Sequence, residues 1–182
     1  MRTHYFIALP VQLHLRRALE KVQREFNLDL FKHIVYPEDF HVTVEFLGGV
    51  SEEQLSSIHD GLQQLVKRIE PFELTVDQIG AFGRQQQPRV LYANVMRNER
   101  LDILHKEVHQ ICSATGLVTD HKEYRPHITL AKKWRFSEQV IPPAWPTLQR
   151  DSQEVSSLHL YKVAPLEKPR YQRVESYAFT KL

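Results

Sequence analysis

Two periods of apolar residues divide the chain. Residues 4–9 read as a strand, and Pro10 opens a helix whose apolar positions Val11, Leu15, Ala18, Leu19, Val22 and Phe26 recur at helical spacing. A strand is expected over about 41–47, closed by Gly48-Gly49. Ser51 and Gln54 then form a capping box for a helix carrying Leu55, Ile58, Leu62, Leu65 and Ile69 on one stripe and ending near Pro71. Phe72 to Ile79 and Val90 to Met96 read as two strands, joined by Gly80-Ala81-Phe82-Gly83-Arg84 and a glutamine run. Asn98 caps a third helix with Leu101, Leu104, Val108 and Ile111 inward, and Gly116 stops it. A strand over about 126–131, a proline-rich loop at Ile141–Pro146 and strands near 154–162 and 171–180 complete an α+β chain. No linker is long enough to separate domains, so residues 1–182 are expected to form one domain.

Two of these strands carry the same tetrapeptide pattern, His41-Val42-Thr43-Val44 and His127-Ile128-Thr129-Leu130. Side chains alternate along a strand, so His41 shares a face with Thr43, and His127 with Thr129. Val42, Val44, Ile128 and Leu130 take the other face, where they pack into the core. The motifs lie 86 residues apart, close to half the chain. That spacing predicts two lobes related by a pseudo-two-fold axis, with both imidazoles facing a central cleft.

Composition narrows the setting. With 182 residues, 42% of them apolar and 25% charged, the chain suits a folded globular domain. Cys112 is the single cysteine, so no internal disulfide can form, and its helical spacing from Val108 makes it a small core residue. The N-terminal apolar stretch is too short for a signal peptide or membrane span, which leads us to expect a cytoplasmic protein. A net charge of +2 excludes a nonspecific nucleic-acid wrapper but leaves room for a local phosphate pocket.

Paired His-x-Thr units suit chemistry at phosphorus. Opening a cyclic phosphate needs a base for the attacking water, an acid for the departing ribose oxygen and donors to the nonbridging oxygens. Histidine, with an ordinary pKa of about 6.5, serves as either acid or base near neutrality, and the threonine hydroxyls donate without adding charge. An in-line displacement of this kind needs no metal or cofactor. A zinc site is the rival reading, but two histidines without a placed carboxylate or cysteine fall short of the usual ligand number. His105 and His109, four apart on the third helix, lack a glutamate at the position a zincin motif requires and read as a solvated face.

The chain resembles the two-histidine phosphoesterase superfamily, and within it the bacterial RNA 2',3'-cyclic phosphodiesterases formerly called LigT-type 2'-5' RNA ligases. The resemblance spans nearly the whole chain. It is carried by Tyr5-Phe6-Ile7-Ala8-Leu9-Pro10, Phe40-His41-Val42-Thr43-Val44-Glu45-Phe46-Leu47-Gly48, Arg89-Val90-Leu91-Tyr92 and Tyr124-Arg125-Pro126-His127-Ile128-Thr129-Leu130-Ala131-Lys132. It implies a bilobal α+β fold of two mainly antiparallel sheets with flanking helices, a metal-independent site, and hydrolysis of a 2',3'-cyclic phosphate end to a 2'-phosphomonoester. His41 would then be the proton donor to O3' and His127 the acceptor from water, although the residues alone do not decide which is which. Thr43, Thr129 and Lys132 would hold the phosphate. Lysine keeps the charge but lacks the bidentate fork of the arginine often found at that position.

Three further residues are candidates for substrate contact. Phe46 can stack on a terminal base, but in a regular strand it shares the core face with Val42 and Val44, and only a bend would turn it outward. Arg125, held extended by Pro126, reaches either the cleft rim or the open surface. Tyr161 shares a face with His159 and either lines the same cleft or is exposed. The expected partner is RNA with a 2',3'-cyclic phosphate end, or a nucleoside 2',3'-cyclic phosphate, bound by a monomer. Two alternatives stay open: cleavage or synthesis of 2'-5' linkages at the same site, and a module that binds an RNA end or cyclic nucleotide without turnover.

Overall fold

The computed structural model describes residues 3–26, 28–84, 87–118, 123–136 and 144–180, with Leu28 described in its backbone alone. Most of the glutamine run and residues 141–143 of the expected proline-rich loop lie outside this set. The strands are β1 (His4–Pro10), β2 (Phe31–Ile34), β3 (His41–Gly49), β4 (Phe72–Arg84), β5 (Gln87–Val95), β6 (His127–Trp134), β7 (Asp151–Val155), β8 (Ser157–Val163) and β9 (Tyr171–Ala178). Three helices accompany them: α1 (Leu13–Glu25), α2 (Glu52–Val66) and α3 (Glu99–Ala114). No helix among the described residues is long and apolar enough to cross a membrane.

All strand pairs are antiparallel, in the order β7-β4-β5-β6-β3-β1-β8-β9, with β2 added to β6. The two expected sheets are joined into one, because β3 and β6 pair at a single position, Val42 opposite Ile128. Each motif strand closes a unit opened by its partner strand and a helix, β1-α1-β3 in one half, with β2 inserted before β3, and β5-α3-β6 in the other. This is the internal repeat that the motif spacing predicted. The far edges of the halves are joined as well, since β7 pairs with β4, β8 pairs with β1, and Ser156 alone separates β7 from β8. Buried Gln153 reinforces that junction. Its side chain accepts from the Gln12 amide at 2.8 Å and donates to the Pro10 carbonyl at 2.8 Å.

Local chemistry sets the helices. Ser51 and Gln54 form the reciprocal capping box, the Gln54 amide donating to Ser51 Oγ at 3.2 Å and the Ser51 amide to Gln54 Oε1 at 3.0 Å. Asn98 Oδ1 accepts from the Leu101 amide at 2.9 Å, and Gly116 ends the third helix at φ +78°. The inward stripes hold: Leu15, Leu19, Ile58, Leu62, Leu101, Leu104, Val108 and Cys112 are all fully buried, as are Val42, Ile128 and Leu130. Burial pushes the Cys112 thiol up to about 12, so it stays a neutral core group.

Two helices are shorter than expected, since Pro10 still belongs to β1 and α1 begins at Leu13, while α2 ends at Val66, before Ile69; the other departures are in the strands. β4 continues through the glycines read as a turn. Gly80 makes room there for the Tyr92 ring, which would lie 2.8 Å from a Cβ, and Gly83 has φ +109° beside a register shift. The expected strand at 154–162 is two strands that serve opposite halves. β2 had no sequence signal, being four residues with an interspersed lysine and histidine.

Candidate active site

The same irregularity occurs in both motif strands. Opposite β1, Thr43 pairs with Ala8 and Glu45 with Ile7, leaving Val44 as an extra residue; opposite β5, Thr129 pairs with Tyr92 and Ala131 with Leu91, leaving Leu130 extra. Each is a β-bulge just past the threonine, and it reverses the alternation downstream. Phe46 therefore turns outward to 55% exposure, off the core face that a regular strand would give it, and Lys132 lands on the cleft face with His127 and Thr129. Phe46 and Lys132 each stand five residues after their histidine, so they are positional twins.

A bulge strands backbone polar groups, and side chains from distant elements satisfy them. The Tyr124 hydroxyl donates to the Thr43 carbonyl at 3.0 Å. The amide of buried Gln23, on α1, donates to the carbonyls of Leu130 and Val35 at 2.9 Å each, and the Val35 amide also donates to the Leu130 carbonyl at 3.0 Å.

The two imidazoles are held alike. His41 Nδ1 donates to the Asp39 carbonyl at 2.6 Å, and His127 Nδ1 donates to the Arg125 carbonyl at 2.7 Å. Each carbonyl lies two residues before its histidine and fixes the neutral tautomer that presents Nε2. The Thr43 hydroxyl reaches His41 Nε2 at 3.1 Å. Burial, the largest influence, pushes His41 down to about 4; the Asp39 carbonyl opposes it, while the Lys132 and His127 charges push further down. His127 is also lowered, by burial and then by Lys132, against the Arg125 carbonyl. His41 and His127 flank the point where β3 and β6 pair, Val42 opposite Ile128, and the Lys132 charge bears on both imidazoles.

Aromatic rings brace each histidine. Phe6 lies 4.8 Å from the His41 ring centroid, Tyr171 meets it edge-on at 5.1 Å, and Tyr161 is 6.2 Å away, stacked on Phe6 at 5.2 Å. In the other half, Phe82 and Tyr92 stand 4.9 and 5.4 Å from His127 and stack on each other at 4.2 Å. Tyr161 is thus behind His41, its hydroxyl bonded to buried His159 at 3.1 Å.

Two cavities flank the pair. A 740 Å³ cavity includes Thr43, His127, Phe46, Tyr124 and Arg125 in its wall. The Arg125 guanidinium is exposed and pairs with Glu123 at 3.2 Å, so it is the backbone of Arg125 that meets His127. A 660 Å³ cavity on the other side includes Lys132, Asp39 and Tyr171, and Phe82 and Arg89 belong to both walls.

The structure brings His41, His127, Thr43 and Lys132 together, and places Thr129 on their strand face. It corrects the reading of His105 and His109 as a solvated face: His105 stacks on Tyr124 at 3.9 Å and His109 Nδ1 bonds buried Glu45 at 2.9 Å, because α3 packs against β3. Phe6, Asp39, Phe82, Tyr92 and Tyr171 were not foreseen as site residues. Tyr92 had a signal, since it closes the Arg89–Tyr92 segment that carries the resemblance, but nothing in the sequence pairs it with Thr129. Among the described residues, no three His, Cys, Asp or Glu side chains are grouped as metal ligands would be.

Comparison with known proteins agrees with this architecture. The chain is 29% identical to an RNA 2',3'-cyclic phosphodiesterase of Bacillus subtilis, over 96% of this chain and 95% of that protein. It is 31% identical to the protein of that name from Thermotoga maritima, covering 83% and 77%. A Geobacillus stearothermophilus protein of the same name is 28% identical, and this chain spans 57% of its length. Among solved structures, E. coli LigT complexed with 3'-AMP superposes with a TM-score of 0.81 at 22% identity, both chains fully covered, and TT0787 of Thermus thermophilus gives 0.82 at 24% identity over 97% of each chain. A family model described as the 2'-5' RNA ligase superfamily matches residues 11–163, most of the chain, and it is to this superfamily that the protein belongs.

Proposed function

We propose that the protein hydrolyses RNA 2',3'-cyclic phosphate ends to 2'-phosphomonoesters by acid–base catalysis between His41 and His127. The observation that carries this reading is the matched pair of Nδ1-anchored imidazoles on adjacent strands, His41 Nε2 beside the Thr43 hydroxyl and both rings within the field of Lys132. The names of the relatives support the choice of substrate.

In the free protein both imidazoles are neutral at pH 7, which suits a base and leaves the acid to be charged. A bound phosphate anion supplies that charge balance: it offsets Lys132 and favours imidazolium at His41. Thr43, which donates to His41 Nε2 in the free protein, then turns its hydroxyl to a nonbridging oxygen, with Thr129 and Lys132 holding the others. His127 takes a proton from water as its oxygen bonds to phosphorus. The phosphorus–O3' bond breaks, and His41 gives its proton to O3', leaving a 3'-hydroxyl and a 2'-phosphate. Phe46 offers a face to the terminal base across the 740 Å³ cavity, with Arg125 at its rim. Tyr161, through Phe6, braces the His41 ring. The reaction uses no metal or cofactor, and the protein works as a single two-lobed domain and a cytoplasmic monomer.

The test is turnover of an oligoribonucleotide ending in 2',3'-cyclic phosphate, in EDTA, by wild type, His41→Ala and His127→Ala. Loss of about 10²-fold or more in kcat in each variant, with a 2'-phosphate product from wild type, is expected. Binding without turnover by wild type would replace the enzyme with a binding module, and turnover abolished by EDTA would overturn the metal-free mechanism.

A further inference from the structure

The 660 Å³ cavity is not explained by a single cyclic phosphate. Lys132, Lys133, Arg89, Arg170 and His33 all line it. Its one carboxylate, Asp39, is already engaged, accepting from the Arg170 and Tyr171 amides at 3.0 Å each. Among the described residues, none of the four lysine and arginine side chains is in an ion pair, although other lysines and arginines of the molecule are paired with carboxylates. Four cations converging without a carboxylate partner repel one another, and they are stable together where an anion neutralises them. His33 responds to this field: its imidazole is lowered by burial first, then by Lys133, Arg170, Lys132 and Lys32.

The register places this charge beside the reacting groups. His33, Lys132, Val90 and Phe82 are opposite one another in turn across β2, β6, β5 and β4, so they form one row on the cleft face, next to the row of Thr129 and Tyr92. Tyr171 and Phe82, which brace the two imidazoles, are also walls of the cavity. The opposite cavity is different: Phe46, Phe82 and the stacked His105–Tyr124 pair give it ring faces suited to a base. A ribose whose 2',3'-phosphate sits at the histidines carries the base on one side and its 5'-oxygen on another. The aromatic cavity suits the first and the cationic cavity suits a phosphate on the second.

We infer that the cavity lined by Lys133 and Arg170 is a second phosphate site, which takes the 5'-phosphate of the terminal nucleotide and thereby selects a strand end over a bare nucleoside cyclic phosphate. This rests on the reaction proposed above. Lys132 serves the cyclic phosphate, so Lys133 and Arg170 carry the selectivity.

The experiment compares kcat/KM for adenosine 2',3'-cyclic phosphate, its 5'-phosphorylated form, and the dinucleotide ApA ending in 2',3'-cyclic phosphate, with wild type and the Lys133→Gln/Arg170→Gln double variant. Wild type should favour both 5'-substituted substrates by about tenfold or more, as one charge-assisted phosphate contact provides. The preference should fall toward unity in the double variant while turnover of the 5'-hydroxyl substrate is unchanged. A gain with the mononucleotide but not the dinucleotide would overturn strand-end selection. No preference in wild type, or an equal loss on all substrates in the variant, would overturn the site altogether. If wild type turns over none of them, the proposed reaction fails, and calorimetry with adenosine 3',5'-bisphosphate and adenosine 3'-monophosphate decides the site separately. Tighter binding of the bisphosphate, lost in the double variant, supports it, and equal binding overturns it.

Discussion

Replacing Gln23 with methionine should destabilise the protein far more than its place in a surface helix suggests. Its side-chain amide crosses 107 residues of sequence to reach the carbonyl of Leu130, the extra residue of the second bulge, and also supplies the Val35 carbonyl, both at 2.9 Å. Methionine matches glutamine in length, so no cavity opens, and the change isolates the two hydrogen bonds. Each is worth about 1 kcal/mol net, and a carbonyl left without a donor costs about 1–3 kcal/mol when buried; Leu130 keeps the Val35 amide and the Val35 bond is part-buried, so that penalty falls at the low end, about 1 kcal/mol. A total of about 3 kcal/mol should lower Tm by roughly 6–12 °C for a domain of this size. Thermal melts, with urea titrations to check that the m-value is unchanged, measure this. The same variant should raise KM for the cyclic phosphate, because the bulge at Leu130 is what presents Lys132. A Tm within about 2 °C of wild type would show that strand pairing alone holds the bulge, and would refute the argument.

Two further outcomes follow from the site. His41 is held to about 4, below its unfolded value of about 6.5, so the unfolded chain binds more protons between these values, and the stability of the protein should fall as pH drops from 6.5 towards 4. Melts against pH should flatten in His41→Asn, though not completely, since His159 is also held to about 4; an unaltered profile would contradict the buried neutral imidazole. Gly80→Ala puts a Cβ 2.8 Å from the Tyr92 ring and should displace the Tyr92–Phe82 stack beside His127, costing about 1–3 kcal/mol and lowering kcat more than it changes the far-UV circular dichroism; wild-type kcat would show that the ring has room to move.

What the sequence discloses here is what short-range chemistry decides. Ser51, Gln54, Asn98 and Gly116 act on neighbours three or four residues away, and the helix ends lie where these residues put them. The motif histidines and threonines were legible because alternation holds over three residues. It fails at the fourth, and nothing about Val44 or Leu130 marks a bulge: the carbonyls freed there are satisfied by Tyr124 and Gln23, 81 and 107 residues away. Phe46 shows the effect of that gap, since its outward position depends on Val44 being left unpaired opposite β1. Gly80 misled for a related reason, its space being required by a ring on the adjacent strand and not by a turn.

The twin bulges have a consequence for how a ligand lies in the cleft. A frame with two matching halves has no inherent direction, and a molecule with two unlike ends would fit it either way round. Here one half presents a phenyl ring at the fifth residue after its histidine and the other presents an ammonium. On the motif strands themselves, left and right are told apart by this one pair of positions, and the unlike cavities on either side extend the difference. In the reaction proposed above, the ring on one motif strand and the cation on the other give a bound nucleotide its direction, and with it the histidine that each side of the phosphate would meet.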